Sequence, residues 1–481
     1  MRCSWLLMAA SVDVIVPCFN GARLLAQTLD SVFAQTYSQL RLVVVDDGST
    51  EDLSRVVSQY GGRCELLRKP NGGQASARNL GIRATSSEYV CLLDADDLLR
   101  PTMLARLVAQ LEAQPETDVV YAKILAFNGD DTQRLFAEHW RPFVAWNDLL
   151  SPLSMFCAIH GSATLLRRSV FERAGWLPEA RDLQGCEDWH FWLQLRMSGA
   201  RVDFVPEVLT LYRIHSGASS AQEVGIAQRE SALMRSASQL IDGQLAADDP
   251  RRLILALGIR NVASRWLLLN QRSAFENLTG LATKVCADVP AADGLRPLLT
   301  AADDGVPIAL AAKLLRLQEP VLALVVLIKQ CQLGHLVARA RKARLTAELD
   351  ELLERVEHFV VGAERAQTEP DFAGHVAHVI AATLLERGKV REALSWLSRA
   401  LALNPHQWPS RALEVQALLT CGRYSDAAHQ LANALDAGTA PMAKQFARNM
   451  YHIVEHHMGS ARPALRALRG LTTGTLGRYL R

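Results

Sequence analysis

Three carboxylates lie within four residues at Asp94-Ala95-Asp96-Asp97, directly after an apolar run with the pattern of a buried strand. Carboxylates this close repel one another unless a cation is present, and oxygen ligands favour magnesium or manganese. The alternative is a helix start, because acids suit that end of a helix and Pro101 precedes the next helical run. A helix cap needs only one acid, so we favour a metal site that takes Mn²⁺ or Mg²⁺.

Two further acidic pairs could take part in chemistry. Asp46-Asp47 closes a β-rich run, whereas Glu187-Asp188 opens an apolar helical run. A carboxylate can act as the general base that takes a proton from an attacking hydroxyl group. The pair at 187–188 taken alone is better explained by the helix dipole, which favours acids in the first turn of a helix. A catalytic role for this pair needs support from other motifs.

Short β-rich runs alternate with helical patterns in the part of the chain that must position these acids. Strands are predicted at Val12–Val16, Arg41–Val45, Glu65–Leu67 and Glu88–Leu93, and one of the helices at about Ala75–Ala84. Such alternation predicts an α/β fold with a parallel sheet wrapped by helices. Ligands of such sheets bind at the carboxyl ends of the strands, where both Asp46 and Asp94 fall.

Length and composition limit the remaining classes. The 481 residues predict two or three domains, and a net charge of +2 gives no case for a nucleic-acid partner. Nine cysteines without a CxxC pair predict reduced thiols and no zinc site. No apolar run reaches the roughly 20 residues of a membrane-spanning helix. The expected location is therefore the cytoplasm.

The chain changes character at about residue 221, where Leu and Ala at helical spacing replace the strand patterns. Pairs of residues 34 apart then repeat, namely Gly388 and Gly422, Ala393 and Ala427, Leu397 and Leu431, and Ala400 and Ala434. A 34-residue period of paired helices resembles the tetratricopeptide repeat. An ordinary helical bundle is the alternative. The predicted domains are an α/β domain at 1–220, a helical domain at 221–373 and helical repeats at 374–481.

Four motifs in order resemble those of the family 2 glycosyltransferases, which are inverting enzymes with the Rossmann-like GT-A fold. The motifs are VIVPCFN at 14–20, VDDGST at 45–50, NGG at 71–73 with ARN at 77–79, and LDADD at 93–97. The resemblance extends over about 11–220. It implies a nucleotide-sugar-binding domain followed by an all-α region.

Several nucleotide-sugar contacts follow from the resemblance. Asp46, with its neighbour Asp47, matches the acid that contacts the base, which is expected to be uracil. Pro17 and Asn20 match the loop that lines the nucleoside pocket. Arg78 stands where a cation near the nucleotide is expected.

The metal and catalytic roles also follow from the resemblance. Asp94 is expected near the ribose and donor sugar as well as at the metal, and Asp96 as the ligand of the metal that bridges the diphosphate. In the late motif YRIH at 212–215, His215 matches a metal ligand and Arg213 a cation facing the diphosphate. Asp188, with Glu187 beside it, matches the catalytic base of the family.

The function that the resemblance implies is a metal-dependent hexosyltransferase. It would transfer a sugar from a nucleotide-sugar donor, expected to be a UDP-sugar, to a saccharide or lipid-linked acceptor in envelope polysaccharide synthesis. Two other classes stay open. One is an interaction or scaffold protein with a vestigial transferase domain, against which Asp94, Asp96 and Asp188 argue. The other is a nucleotidyltransferase, which the pair at 187–188 and His215 fit less well.

The C-terminal segment carries Arg462, Arg466 and Arg469 on one face of a predicted helix, and no acid follows Glu455. A basic face of this kind suits anionic head groups or a lipid diphosphate. A solvated tail is the alternative. From this basic face we expect the C-terminal helices to contact the inner face of the membrane peripherally, or to contact a protein partner.

Truncation after Glu455 is expected to weaken binding to anionic vesicles while hydrolysis of a nucleotide sugar continues. The loss should shrink at high salt, because ionic screening reduces attraction between a basic face and anionic lipid. Vesicle co-sedimentation of intact and truncated protein at low and high salt measures it. Equal binding by the two proteins would leave the segment without a role at the membrane.

Overall fold

The computed structural model describes residues 10–129, 131–136, 159–215, 223–302, 370–405 and 408–423, with isolated positions elsewhere between 153 and 430. The chain divides into two compact units, Met1–Leu125 with Ala145–Pro290 and Ala126–Val144 with Ala291–Arg481. The domain boundaries predicted after residues 220 and 373 stay predictions.

Four parallel strands form the first half of the sheet in the order β3-β2-β1-β4. They are β1 (Val12–Cys18), β2 (Leu40–Asp46), β3 (Cys64–Arg68) and β4 (Tyr89–Leu92). All residues of β1 and β4 are buried, which explains their continuous apolar runs, because helices cover both faces of a parallel sheet. The four predicted strands are confirmed.

Helices follow these strands along the chain. They are α1 (Ala22–Phe33), the short α2 (Ser54–Val57), α3 (Gln74–Arg83) and α4 (Met103–Ala113). Helix α1 buries Leu25, Leu29 and Val32, whose spacing of four and three puts them on one face. Helix α3, which was predicted at about 75–84, contacts β1 and β2 through small residues such as Gly81. These helices fix the loops that leave the carboxyl ends of the strands.

The second half of the sheet is mixed. It contains β5 (Leu98–Leu99), β6 (Val119–Asn128), β7 (Asp131–Phe136), β8 (Thr164–Arg167) and β9 (Val202–Ile214). The order continues β4-β8-β6-β9-β5, and β8 runs antiparallel to both β4 and β6. Helices α5 (Ser169–Ala174) and α6 (Glu187–Met197) lie between β8 and β9.

The predicted parallel sheet is confirmed for β1 to β4, and the later strands, for which no prediction was made, add a mixed half. Antiparallel pairing does not require a crossover helix between consecutive strands, so the alternation that identified β1 to β4 is absent there. The predicted α/β class and the GT-A arrangement, a Rossmann-like half joined to a mixed half, are confirmed.

Helices follow β9 in the first unit. They are α7 (Glu223–Asp242), α8 (Arg251–Leu268) and α9 (Arg272–Val285), which pack on one another. The Trp266 indole N–H donates to the Ser231 hydroxyl at 2.9 Å and ties α8 to α7. The His190 Nε2 lies 2.9 Å from the Ser236 hydroxyl, so α7 also contacts α6. Within the described residues, no helix combines the length and apolarity needed to cross a bilayer.

The second unit contains the short helix α10 (Arg296–Thr300) and, further on, α11 (Pro370–Glu386), α12 (Val390–Leu403) and α13 (Trp408–Thr420). Ala381, Leu397 and Ala417 form a shared core of the last three helices. The predicted helical region is thus present.

Gly388 and Gly422, the glycines of the 34-residue period, have φ angles of 75° and 76° and follow α11 and α13. Each is a left-handed helix end, which glycine adopts without strain. The two glycines occupy equivalent positions at helix ends, which agrees with the 34-residue period. The likeness to the tetratricopeptide repeat stays a prediction. The third repeat and the basic residues beyond Glu455 lie outside the described residues.

Gly81→Ala is expected to destabilise the protein by about 1–3 kcal/mol, because the new methyl group would overpack the contact of α3 with the sheet. A Cβ atom at Gly81 would lie 2.5 Å from Ile15 Cγ2 and 3.1 Å from Val45 Cγ2. Gly280→Ala in α9 is the matched control, since its Cβ atom would meet no described atom within 4 Å. The control should gain roughly 0.5–1 kcal/mol from helix propensity. Urea unfolding measures both, and equal effects would contradict the packing argument.

Candidate active site

The three acidic motifs meet at one edge of the sheet. The Asp47 backbone N–H donates to the Cys18 carbonyl at 2.9 Å, and the Leu93 N–H donates to the Ile15 carbonyl at 3.0 Å. The ends of β2 and β4 therefore flank the end of β1. This arrangement explains why residues 46 and 94, far apart in sequence, belong to one site.

The ends of β1 and β2 form a linked pair of loops. Asp46 is 2% exposed, and its Oδ1 accepts from the Ser49 N–H at 2.8 Å. Asn20 has a left-handed φ of 51°, and its Oδ1 accepts from the Thr50 N–H at 2.9 Å. Pro17 is buried in β1, whereas the neighbouring Phe19 is 52% exposed. These loops present a buried acid beside an exposed aromatic ring.

Asp47 is engaged by its own chain. Its Oδ1 accepts from Lys69 Nζ at 2.8 Å and from the Gly72 N–H at 3.0 Å, and its Oδ2 accepts from the Gly73 N–H at 2.8 Å. Gly73 has a φ of 90°, and a Cβ atom there would lie 2.2 Å from Gln184 Nε2. Asp47 thus shapes the NGG loop, and its contact with the nucleotide stays a prediction.

Arg78 joins two of the acidic motifs. The residue is 2% exposed; its Nη2 lies 2.5 Å from Asp94 Oδ1, and its Nη1 lies 3.5 Å from Glu187 Oε1. The Gln74 amide donates to the same Asp94 oxygen at 2.7 Å. The Gly185 N–H donates to the other Glu187 oxygen. Arg78 is therefore the counterion of two carboxylates, and its contact with the nucleotide stays a prediction.

Glu187 is 3% exposed, and burial together with the charge of Asp188 raises its pKa, although Arg78 opposes that rise. Asp188 is half-buried in the first turn of α6. Its Oδ1 accepts from the Trp189 N–H at 2.7 Å, and its Oδ2 lies 3.8 Å from Cys157 Sγ. Of the pair, Asp188 is the carboxylate more open to a substrate.

The acidic loop at 94–97 is anchored by its last residue. Asp97 is fully buried; its Oδ1 accepts from the Arg213 N–H at 3.0 Å, and its Oδ2 accepts from the Ser162 hydroxyl at 2.7 Å. Arg213 is also fully buried, and its Nε donates to the Asp96 carbonyl at 2.7 Å. Its Nη2 donates to Gln27 at 2.7 Å. The Arg213 side chain thus holds the loop, and its contact with a diphosphate stays a prediction.

Two partly different residue sets could hold a cation. Asp96 Oδ2 lies 2.9 Å from His215 Nε2, which brings together two of the three predicted ligands. Among the described residues, Asp94, Asp97 and His160 offer ligand atoms that all lie within 4.8 Å of one another. Asp94 belongs to both sets. Of the predicted set, the structure brings Asp96 and His215 together, and a metal site that these two share with Asp94 stays a prediction.

The electrostatics of the loop fit a divalent cation. Burial and the charge of Asp94 raise the pKa of Asp96. Burial and the charges of Asp96 and Asp94 raise the pKa of Asp97 well above its ordinary value. A cation beside these carboxylates would oppose both shifts, and oxygen ligands with one imidazole suit manganese.

Sequence reasoning assigned no role to four residues that the structure brings to this site, Phe19, His160, Ser162 and Gln74. The His160 ring packs edge-on to the Tyr212 ring, with centroids 5.0 Å apart. Ser162 and His160 come from the segment before β8, which carries no motif of its own. Its only signal is the Gly161-Ser162-Ala163 run of small residues, all buried beside the acidic loop.

Comparison with known proteins agrees with the motifs. Residues 13–175 match the model of "Glycosyl transferase family 2". An uncharacterized glycosyltransferase of Rickettsia felis is 30% identical over 210 residues, which are 43% of this chain and 34% of that protein. Another, of Haemophilus influenzae, is 27% identical over 221 residues, which are 44% of this chain and 67% of that protein.

Among solved structures, S. aureus TarS 1–349 in complex with UDP-GlcNAc is 23% identical, with a TM-score of 0.46, covering 60% of this chain and 86% of that chain. The chain spans between about a third and two thirds of the curated relatives named above. The ordered motifs, the mixed sheet and the family match together support a family 2 glycosyltransferase domain at residues 13–175.

Proposed function

We propose that the chain is an inverting, metal-dependent glycosyltransferase that uses a nucleotide-sugar donor. The observation that carries the proposal is the bridge made by Arg78 between Asp94 and Glu187. In an inverting transfer, the diphosphate leaves from one side of the anomeric carbon, and the acceptor hydroxyl with its general base approaches from the opposite side. The bridge ties the acidic loop of the donor side to the acidic pair at the start of α6, which supports a shared reaction centre.

The donor would lie across the ends of β1, β2 and β4. The carboxylate of Asp46 would accept a hydrogen bond from the nucleobase of the donor, and the exposed ring of Phe19 offers a surface on which that nucleobase could stack. Asp94, Asp96 and His215 would hold Mn²⁺ or Mg²⁺, which, when bound, neutralises charge on the departing nucleoside diphosphate. Asp94 would also face the ribose and the donor sugar.

Asp188 would act as the base. As the acceptor oxygen bonds to the anomeric carbon, the bond from that carbon to the diphosphate breaks, and the hydroxyl proton passes to the Asp188 carboxylate. Glu187, enclosed by Arg78 and the Gly185 N–H, would orient the start of α6. This assignment gives the two acids different tasks because only Asp188 is half-exposed.

The finer identity of the substrates belongs to the proposal as well. We propose a UDP-sugar donor with a hexose unit and a saccharide or lipid-linked acceptor of the cell envelope, because the motifs resemble enzymes of that kind. The helical second unit would bind a protein partner or the membrane surface. A scaffold protein with an inactive transferase domain is the alternative, and the retained set of acids argues against it.

Asp96→Ala is expected to abolish the gain in UDP affinity that Mn²⁺ provides, because the ion then loses a ligand. Calorimetric titration of UDP with and without Mn²⁺ measures this gain. Asp182→Asn, an exposed acid in the segment before α6, is the control for lost charge and should behave as the wild type. Undiminished turnover of UDP-sugars in excess chelator would contradict metal dependence.

Asp188→Asn should lower turnover by about 10²-fold or more and leave donor affinity nearly unchanged, because the amide keeps the shape of the side chain but cannot accept the proton. Hydrolysis of a panel of nucleotide sugars, together with donor binding, separates the two effects. A variant that lost donor binding but turned over bound donor normally would show that Asp188 belongs to the donor site instead.

A further inference from the structure

The turn before β8 carries a buried hydroxyl that contacts both ends of the acidic loop. The Asp94 N–H donates to Ser162 Oγ at 3.1 Å, and the Ser162 hydroxyl donates to Asp97 Oδ2 at 2.7 Å. Ser162 is fully buried. One side chain therefore sets the separation between the first and last residues of the loop.

Asp97 extends this connection to β9. Its other oxygen accepts from the Arg213 N–H at 3.0 Å, two residues before His215. The Thr210 hydroxyl donates to the Ser162 carbonyl at 3.1 Å, so β9 also holds the turn. The hydroxyl of Ser162 and the carboxylate of Asp97 thus join the loop that carries Asp94 and Asp96 to the end of β9, which carries His215.

We propose that Ser162 and Asp97 are positioning residues of the acidic loop, and that they set where the carboxylates of Asp94 and Asp96 stand relative to His215. This inference rests on the proposed function for what the loop binds, a divalent cation. It gives Asp97 a supporting task distinct from that of a metal ligand. Both its oxygens already accept hydrogen bonds from the chain, which leaves the carboxylates of Asp94 and Asp96 to face an ion.

The physical reason lies in the burial of the partners. Without the Ser162 hydroxyl, the Asp94 N–H loses its acceptor and the Asp97 carboxylate, which is fully buried away from water, loses a donor. The loop would relax to satisfy them and carry the two metal-facing carboxylates with it. Loss of such a supporting partner typically weakens metal binding by about 10–100-fold.

Ser162→Ala therefore should weaken Mn²⁺ binding about tenfold or more, as measured from free Mn²⁺ by electron paramagnetic resonance. Binding of UDP without metal should stay unchanged, because its base contact at Asp46 lies at the end of a different strand. Thr164→Val is the matched control, since the Thr164 hydroxyl donates to the Gly161 carbonyl at 2.7 Å in the same buried turn. The control should keep wild-type affinity for Mn²⁺.

Hydrogen exchange of segment 93–99 in metal-free protein gives a second reading. Exchange should quicken in Ser162→Ala but not in Thr164→Val, because only the first variant frees the Asp94 N–H. Asp97→Asn should quicken the exchange too, since an amide has one accepting oxygen and cannot accept from both the Ser162 hydroxyl and the Arg213 N–H. If the wild-type protein binds neither Mn²⁺ nor UDP, the proposed function fails. Faster exchange in Ser162→Ala and Asp97→Asn, but not in Thr164→Val, would still support the positioning role.

Two results would overturn the inference. One is wild-type Mn²⁺ affinity and wild-type exchange in Ser162→Ala. The other is an equal loss of Mn²⁺ and UDP binding in Ser162→Ala and Thr164→Val, which would mean that the whole turn merely packs.

Discussion

Mutual repulsion among buried carboxylates is the constraint on which the site depends. Asp94, Asp96 and Asp97 stand at the end of a fully buried strand, and burial raises the pKa of the latter two. The fold compensates the negative charges of these three carboxylates unequally. Asp97 is enclosed by donors from the chain, Asp94 is paired with Arg78, and the ion pair that Asp96 makes among the described residues is with His215. The least compensated acid is therefore the one that gains most from a cation.

Arg78 is a cationic side chain of the protein that compensates the negative charge of two acids in the site. A buried guanidinium between two carboxylates is costly to desolvate, and removing one partner would leave an uncompensated buried charge. The arrangement links the loop after β4 to the start of α6, and the Arg78–Glu187 contact within it joins residues 109 positions apart. It thereby couples the orientation of the donor-side acids to the orientation of the candidate base.

The second half of the sheet provides the rest of the site. Strand β9 carries Arg213 and His215, and the turn before β8 carries Ser162, so the antiparallel strands deliver the groups that hold the acidic loop. Strand β8 runs antiparallel to β4, so the amino end of β8, with Ser162 before it, lies at the carboxyl end of β4, where a parallel strand would place its own carboxyl end. The mixed topology is thus part of how the acids are oriented.

The sequence alone determined the elements with strong local signals. The four parallel strands, helix α3 and the acids at their ends were predictable, because buried apolar runs and strand-terminal polar residues are local patterns. The left-handed glycines of the 34-residue period likewise belong to a local pattern. The ordered motifs also sufficed to identify the family, since each motif is a short contiguous run.

Only the tertiary structure decided which partners each acid meets. Asp46 and Asp47 are adjacent, identical in type and both buried, yet Asp46 pairs with Arg68, whereas Asp47 is held by Lys69 and two backbone N–H groups of the NGG loop. The same holds for Asp96 and Asp97. Their partners come from residues about 20 to 120 positions away, and no local pattern encodes such contacts. The sequence thus determined where the acids cluster, and packing between distant segments determined the task of each one.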